Sequence, residues 1–219
     1  MIAFDSVSRE EMEAMCTPMH CIISPTPIGG RGASKRLSSS THTKNNENIT
    51  LAADIESTLA PALAPTPVTM TGALYLGSMA AAHDVDLLRT HKIAHLVQVL
   101  EVPWMPAPDN TEFACYRIDI EDTSSAKLQP HLEEACDYIR TTLSRGENVL
   151  VHCQQGVSRS ASIVIAYLIR EHSLSYDAAF DIVRQRRRCI KPNAGFIKTL
   201  REWESDCNQC KMIPRAASR

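Results

Sequence analysis

From residue 68 onward the apolar positions recur with two periods that alternate along the chain, and the alternation predicts an ordered series of elements. The run ALYL at residues 73–76 predicts a strand ending at Gly77, Ala80 to Arg89 takes helical spacing, and IAHLVQVL predicts a strand closed by Pro103. FACYRIDI, residues 113–120, alternates as a further strand. Leu132, Ala135, Cys136, Ile139 and Leu143 fall on one helical face, with Gly146 placed to end that helix. Val149 to Val151 is a short apolar strand, and Arg159 to Arg170 is apolar enough to be a helix packed on every side. Two more helices follow, one aligning Tyr176, Ala179, Phe180 and Val183, the other Phe196, Leu200 and Trp203. Strands that alternate with helices predict an α/β fold, a mostly parallel central sheet flanked by helices.

The first 67 residues break the pattern. PTPIGGRGASKRLSSSTHTKNNEN is rich in Gly, Pro, Ser, Thr and Asn and has little to bury, so residues 1–67 are expected to be a flexible, largely disordered extension. Within it ITLAADIESTLAPALA offers one short helix, stopped by Pro65 and Pro67, and KRLSSSTHT fits a linker. The expected organisation is this extension, one domain over 68–205, and a C-terminal tail over 206–219. A chain of 219 residues, 44% hydrophobic, supports one substantial core.

Charge narrows the partners. The net charge is -2, which gives no electrostatic case for nucleic acid or a membrane surface. No apolar run approaches the roughly 20 residues of a membrane span, so no membrane anchor is expected. MIAFDSVSREEMEAMC has acids where a secretory signal needs a basic start, which predicts an intracellular location, cytoplasmic and/or nuclear. Eight cysteines at irregular spacing are then expected as thiols. Cys207 and Cys210 form a CxxC, but no further Cys or His follows to complete a metal site, and none is assigned.

The candidate chemistry lies in VLVHCQQGVSRSASI, residues 149–163. A strand feeds this stretch and a helix leaves it. A loop so placed can turn its backbone N–H groups toward an anion, with the helix dipole adding positive charge at the same point. Gly156 lets the backbone take a conformation closed to other residues, and the planar fork of Arg159 suits two phosphate oxygens. The same donors should lower the pKa of Cys153 and make it a thiolate nucleophile. Ser160 can donate to that sulfur when it departs. His152 is better placed to order the loop than to act as a base. The loop positions Gln154, Gln155, Gly156, Val157 and Ser158 would line the anion site.

HCQQGVSRS matches the HCxxGxxR[ST] signature of cysteine-based protein phosphatases, and SASIVIAYLI, GALYLGS and RRRCIKPNAGF resemble the dual-specificity group. The resemblance covers about Thr69 to Glu204. It implies phosphotyrosine and phosphoserine or phosphothreonine in proteins as substrates, a phosphocysteine intermediate, and no metal or other cofactor. It also implies an aspartate acid about thirty residues before the cysteine. Asp122, 31 residues upstream, is assigned that role, and Asp119 is expected to be a buried structural carboxylate of its strand. Asn193, after Pro192, could brace the phosphate loop or cap the following helix. Arg184, Arg186, Arg187 and Arg188 are expected to form a solvated helix face. Two alternatives remain: a phosphoinositide or RNA 5′-phosphate phosphatase, against which the uncharged Gln154, Gln155, Val157 and Ser158 argue, and a non-catalytic phosphoprotein-binding module.

Overall fold

A computed structural model describes residues 17–28, 70–101 and 112–212, with side chains through 209. The strands are β1 (Met19–Ile23), β2 (Leu74–Gly77), β3 (Ile93–Val99), β4 (Ala114–Ile118) and β5 (Asn148–His152). The helices are α1 (Met79–His83), α2 (Val85–Thr90), α3 (Gln129–Ser144), α4 (Arg159–His172), α5 (Tyr176–Arg186) and α6 (Ala194–Met212). The strands form one sheet in the order β1-β2-β5-β3-β4. All neighbours run parallel except β1, which is antiparallel to β2.

Period-two alternation sorts the strand side chains onto two faces. Val149 and Val151 of β5 and Val97 and Val99 of β3 join the core formed with α3, α4, α5 and α6. Leu150 and Leu96 point the other way, toward Ala81, Ala82 and Leu88 of the short helices α1 and α2. Ile93 shares the face of Leu96, three residues away, because the register of β3 against β5 shifts between Ile93 and His95. Ten consecutive residues of α4, Ser160 to Ile169, are buried, as its apolar composition requires.

Three expectations need correction. Met19–Ile23 is a strand of the sheet although composition placed it in the flexible extension. Its five residues MHCII carry apolar groups to both faces, Met19 to one core and Ile22 to the other. After Ile23 the chain is described as far as Ile28, with Thr26 bonded to Thr71, and the expected extension before residue 17 and after residue 28, including the short helix before Pro65, lies outside the described residues. The helix expected over residues 80–89 is two helices, because the Asp84 carboxylate turns in to accept from the Leu87 N–H and starts a new one. The last helix continues through the supposed tail to Met212, with Cys207 buried against the core; the Cys210 side chain lies outside the described residues.

Parallel pairing brings the carboxyl ends of β2, β5 and β3 to one side, with Gly77 opposite His152 and Gln98 opposite His152 from the other flank. Cys153 therefore leaves the central strand at the edge where open α/β sheets bind ligands.

Candidate active site

The loop from Cys153 to Ser158 is shaped by what its carbonyls do. Four in succession are taken by donors outside the loop. Gln154 O accepts from Met79 N at 3.1 Å and Val157 O from Lys191 N at 2.8 Å. Gln155 O and Gly156 O both accept from Arg187, through Nη2 and Nε, at 2.9 Å each. No peptide bond among the described residues is cis, so each outward carbonyl sets the next N–H on the opposite side. The amides of Gln155, Gly156, Val157 and Ser158 are thereby turned inward. Gly156 N–H is seen on Cys153 Sγ at 3.2 Å. This curl requires glycine at 156: its φ is +70°, and a Cβ there would sit 2.5 Å from Gly77 O.

Cys153 is only 2% exposed and lies at the floor of the curl. Ser160, in the first turn of α4, donates to its Sγ at 3.1 Å. Two hydrogens thus converge on the sulfur, an arrangement that stabilises a sulfur anion whether it attacks or departs. Arg159 begins α4, with Nη1 3.5 Å from Ile120 O. Its Nε is buried and makes no hydrogen bond, leaving a donor for an oxyanion. His152 ends β5 and is 3% exposed. Burial, followed by the nearby His83, pushes its imidazole down to about 4, so it is neutral at physiological pH.

Asp122 reaches the same cleft from the segment after β4. Its Oδ1 accepts from Ser158 Oγ at 2.6 Å and from Asn193 Nδ2 at 3.0 Å, and its Oδ2 lies 3.6 Å from Arg159 Nε. A carboxylate carried on a loop is thus tied to the phosphate loop by the Ser158 hydroxyl and to the start of α6 by the Asn193 amide. The Asn193 side chain caps α6, its Oδ1 accepting from Phe196 N at 2.9 Å, and its Nδ2 holds Asp122 and the Thr123 carbonyl and not the phosphate loop itself. Asp119 is not buried. β4 ends at Ile118, but burial goes on alternating, with Ile118 and Ile120 turned to the core, so Asp119 shares the outer side of Arg117 and pairs with it at 2.7 Å.

The cleft has a volume of about 690 Å³, and Cys153, Arg159 and Asp122 all line it. Gln154, Gln155, Val157, Ser158 and Asn193 contribute to its walls, as does Lys191, which the sequence did not single out. Gly156, Ser160 and His152 lie behind the surface and shape it. The larger omission is Arg187, expected on a solvated face and found fully buried against the loop. Helical periodicity does not reach it: α5 ends at Arg186, and Arg187, with extended backbone, stands just past the buried stripe of Ala179 and Val183.

A family model for the dual specificity phosphatase catalytic domain matches residues 74–206. The chain is 37% identical over 131 residues to dual specificity protein phosphatase 1B of Arabidopsis thaliana, covering 60% of this chain and 77% of that one. It is 39% identical over 142 residues to dual specificity protein phosphatase MPK-4 of Drosophila melanogaster, where the match covers 64% of this chain but only 36% of the relative's length. Among solved structures, the human tyrosine phosphatase-like serine/threonine/tyrosine-interacting protein superposes with a TM-score of 0.58 at 33% identity, covering 61% of this chain and 91% of that chain.

Proposed function

The chain belongs to the dual-specificity phosphatase family, and from that membership together with the cleft we propose that it hydrolyses phosphotyrosine and phosphoserine or phosphothreonine in proteins through a phosphocysteine intermediate. One observation carries the reading: the Cys153 sulfur lies under two converging donors, with Arg159 and Asp122 on the walls of the same cleft.

In the first step the Cys153 thiolate attacks phosphorus in line while Asp122 gives its proton to the leaving oxygen. The S–P bond forms as the P–O ester bond breaks, and the alcohol or phenol leaves neutral. In the second, ionised Asp122 takes a proton from water as that water attacks phosphorus. The S–P bond breaks, and Ser160 meets the departing thiolate. Arg159 and the inward amides hold the equatorial oxygens throughout, and positioned donors of this kind are worth about 3 kcal/mol each in a transition state. The proposed substrates are phosphoproteins inside the cell, in the cytoplasm or nucleus. Among the described residues no helix is long and apolar enough to cross a membrane.

The test compares release of phosphate from phosphotyrosyl and phosphothreonyl peptides with release from phosphoinositides and from 5′-triphosphorylated RNA. Vanadate-sensitive turnover of both peptide classes is expected. Cys153→Ser should lose turnover and keep phosphopeptide binding. Preferential release from the lipid or the RNA would replace the reading with one of those activities, and peptide binding with no turnover by the wild type would make the chain a binding module.

A further inference from the structure

Arg187 joins the catalytic loop to a part of the chain outside the family match. That match begins at residue 74, yet the sheet begins at β1. On one side the buried guanidinium holds the carbonyls of Gln155 and Gly156. On the other its Nη1 donates to Thr17 O at 2.9 Å and to His20 Nδ1 at 3.0 Å, both from β1 or the residues leading into it. Helix α5 packs on β1 and delivers Arg187 to this junction.

The acceptor set is unusual for a buried cation, since it is three carbonyls and an imidazole and includes no carboxylate. Burial pushes the Arg187 guanidinium below its ordinary range, and the sulfurs of Cys189 first and Cys153 second act against that. The four acceptors also fix its plane. Four of its five N–H groups are committed, two toward the loop and two toward Thr17 and His20, so the fork cannot rotate without losing bonds at both ends. The imidazole must be neutral to accept at Nδ1. Burial first, and the Arg187 charge second, hold His20 below its ordinary range and keep it so.

We propose that β1 is a working part of the catalytic apparatus and that His20 is a positioning residue: by accepting from Arg187 it fixes the guanidinium that turns the amides of Gly156 and Val157 toward the Cys153 sulfur. This rests on the phosphatase reading, and it adds an element that the family match does not contain. The partner is intramolecular, and the chemistry is that of one neutral acceptor at a defined point.

The test uses the full chain as wild type, His20→Leu and His20→Asn. Alkylation of Cys153 by iodoacetate and by iodoacetamide is followed by mass spectrometry of the Cys153 peptide, alongside kcat, KM and vanadate inhibition. The anionic reagent senses the inward amides; the neutral one senses only the thiol. His20→Leu is expected to lower the iodoacetate to iodoacetamide rate ratio about tenfold, the scale of one hydrogen bond to a charged group. It should lower kcat and weaken vanadate inhibition to a similar degree. His20→Asn, whose Oδ1 takes the place of Nδ1, should restore most of the ratio and of kcat. An unchanged ratio in His20→Leu, or equal losses in the two variants, would overturn the proposal. Should His20→Leu not fold, His20→Gln, which carries its acceptor beyond the Nδ1 position, takes its place with the same two outcomes. If the wild type hydrolysed no phosphate ester, the phosphatase reading would fall, while the alkylation ratio would still decide the role of His20.

Discussion

Replacing Asn193 by alanine separates the two tasks of one side chain. Its Nδ2 holds Asp122 Oδ1 at 3.0 Å, and its Oδ1 caps α6 through Phe196 N at 2.9 Å. A hydrogen bond to a charged group contributes about 1.5–3 kcal/mol, and the lower end applies because Ser158 still holds the carboxylate at 2.6 Å. About tenfold in rate is then expected, and only where the acid matters. The assay compares phosphotyrosine, whose phenol has a pKa of about 10, with an aryl phosphate whose leaving group departs unprotonated. Asn193→Ala should slow the first about tenfold and the second little. In an Asp122→Ala background it should slow neither further. The lost cap costs about 1 kcal/mol, which lowers Tm by roughly 2–4 °C. Asn193→Asp sharpens the comparison, since it keeps an acceptor for Phe196 N but sets a second carboxylate against Asp122; it should fold as stably as the wild type and still lose acid function. Equal slowing on both leaving groups, or slowing that persists without Asp122, would refute the assignment of Asn193 as the brace of the acid.

Other outcomes follow from the same geometry. Ser160→Ala removes the 3.1 Å donor to the sulfur, so departure of the thiolate should become rate-limiting, lowering kcat about tenfold with a pre-steady-state burst; a variant without a burst would remove that role. Gly156→Ala forces a Cβ to 2.5 Å from Gly77 O at a left-handed φ, which should cost upwards of about 2 kcal/mol in urea unfolding and abolish vanadate binding, and a stable, active variant would contradict the account of the loop. His152 binds its proton near 6.5 when unfolded and at about 4 when folded. The unfolded state therefore holds more protons between these values, and the contribution is complete above pH about 6.5 and lost as pH falls toward 4, about 3 kcal/mol in all. His20 and His172, also lowered, act in the same direction, so the isolating measurement is the pH slope of wild type against His152→Asn. Matching slopes would show that His152 does not carry this term.

Most of the sheet, the buried helix α4 and the stretch that holds Cys153 and Arg159 were legible in local patterning. These follow from local information: hydrophobic period marks the faces, and the loop's residue types occur at fixed offsets within one strand–loop–helix unit. The places of Arg187, Met19–Ile23 and Asp119 depend on contacts that form when the chain folds. Arg187 lies among other arginines, and local composition cannot tell which member of a charged run finds acceptors 31 and 170 residues away. Met19–Ile23 is five residues followed by a polar stretch, too short to announce a strand until β2 offers an edge to pair with. Asp119 alternates with the buried Ile118 and Ile120, and only the place of β4 at the sheet edge shows that the face it shares with Arg117 is solvent and not core. In each case the deciding contact is long-range or set by where an element lies, and pairing energy between distant segments leaves no periodic trace in either one.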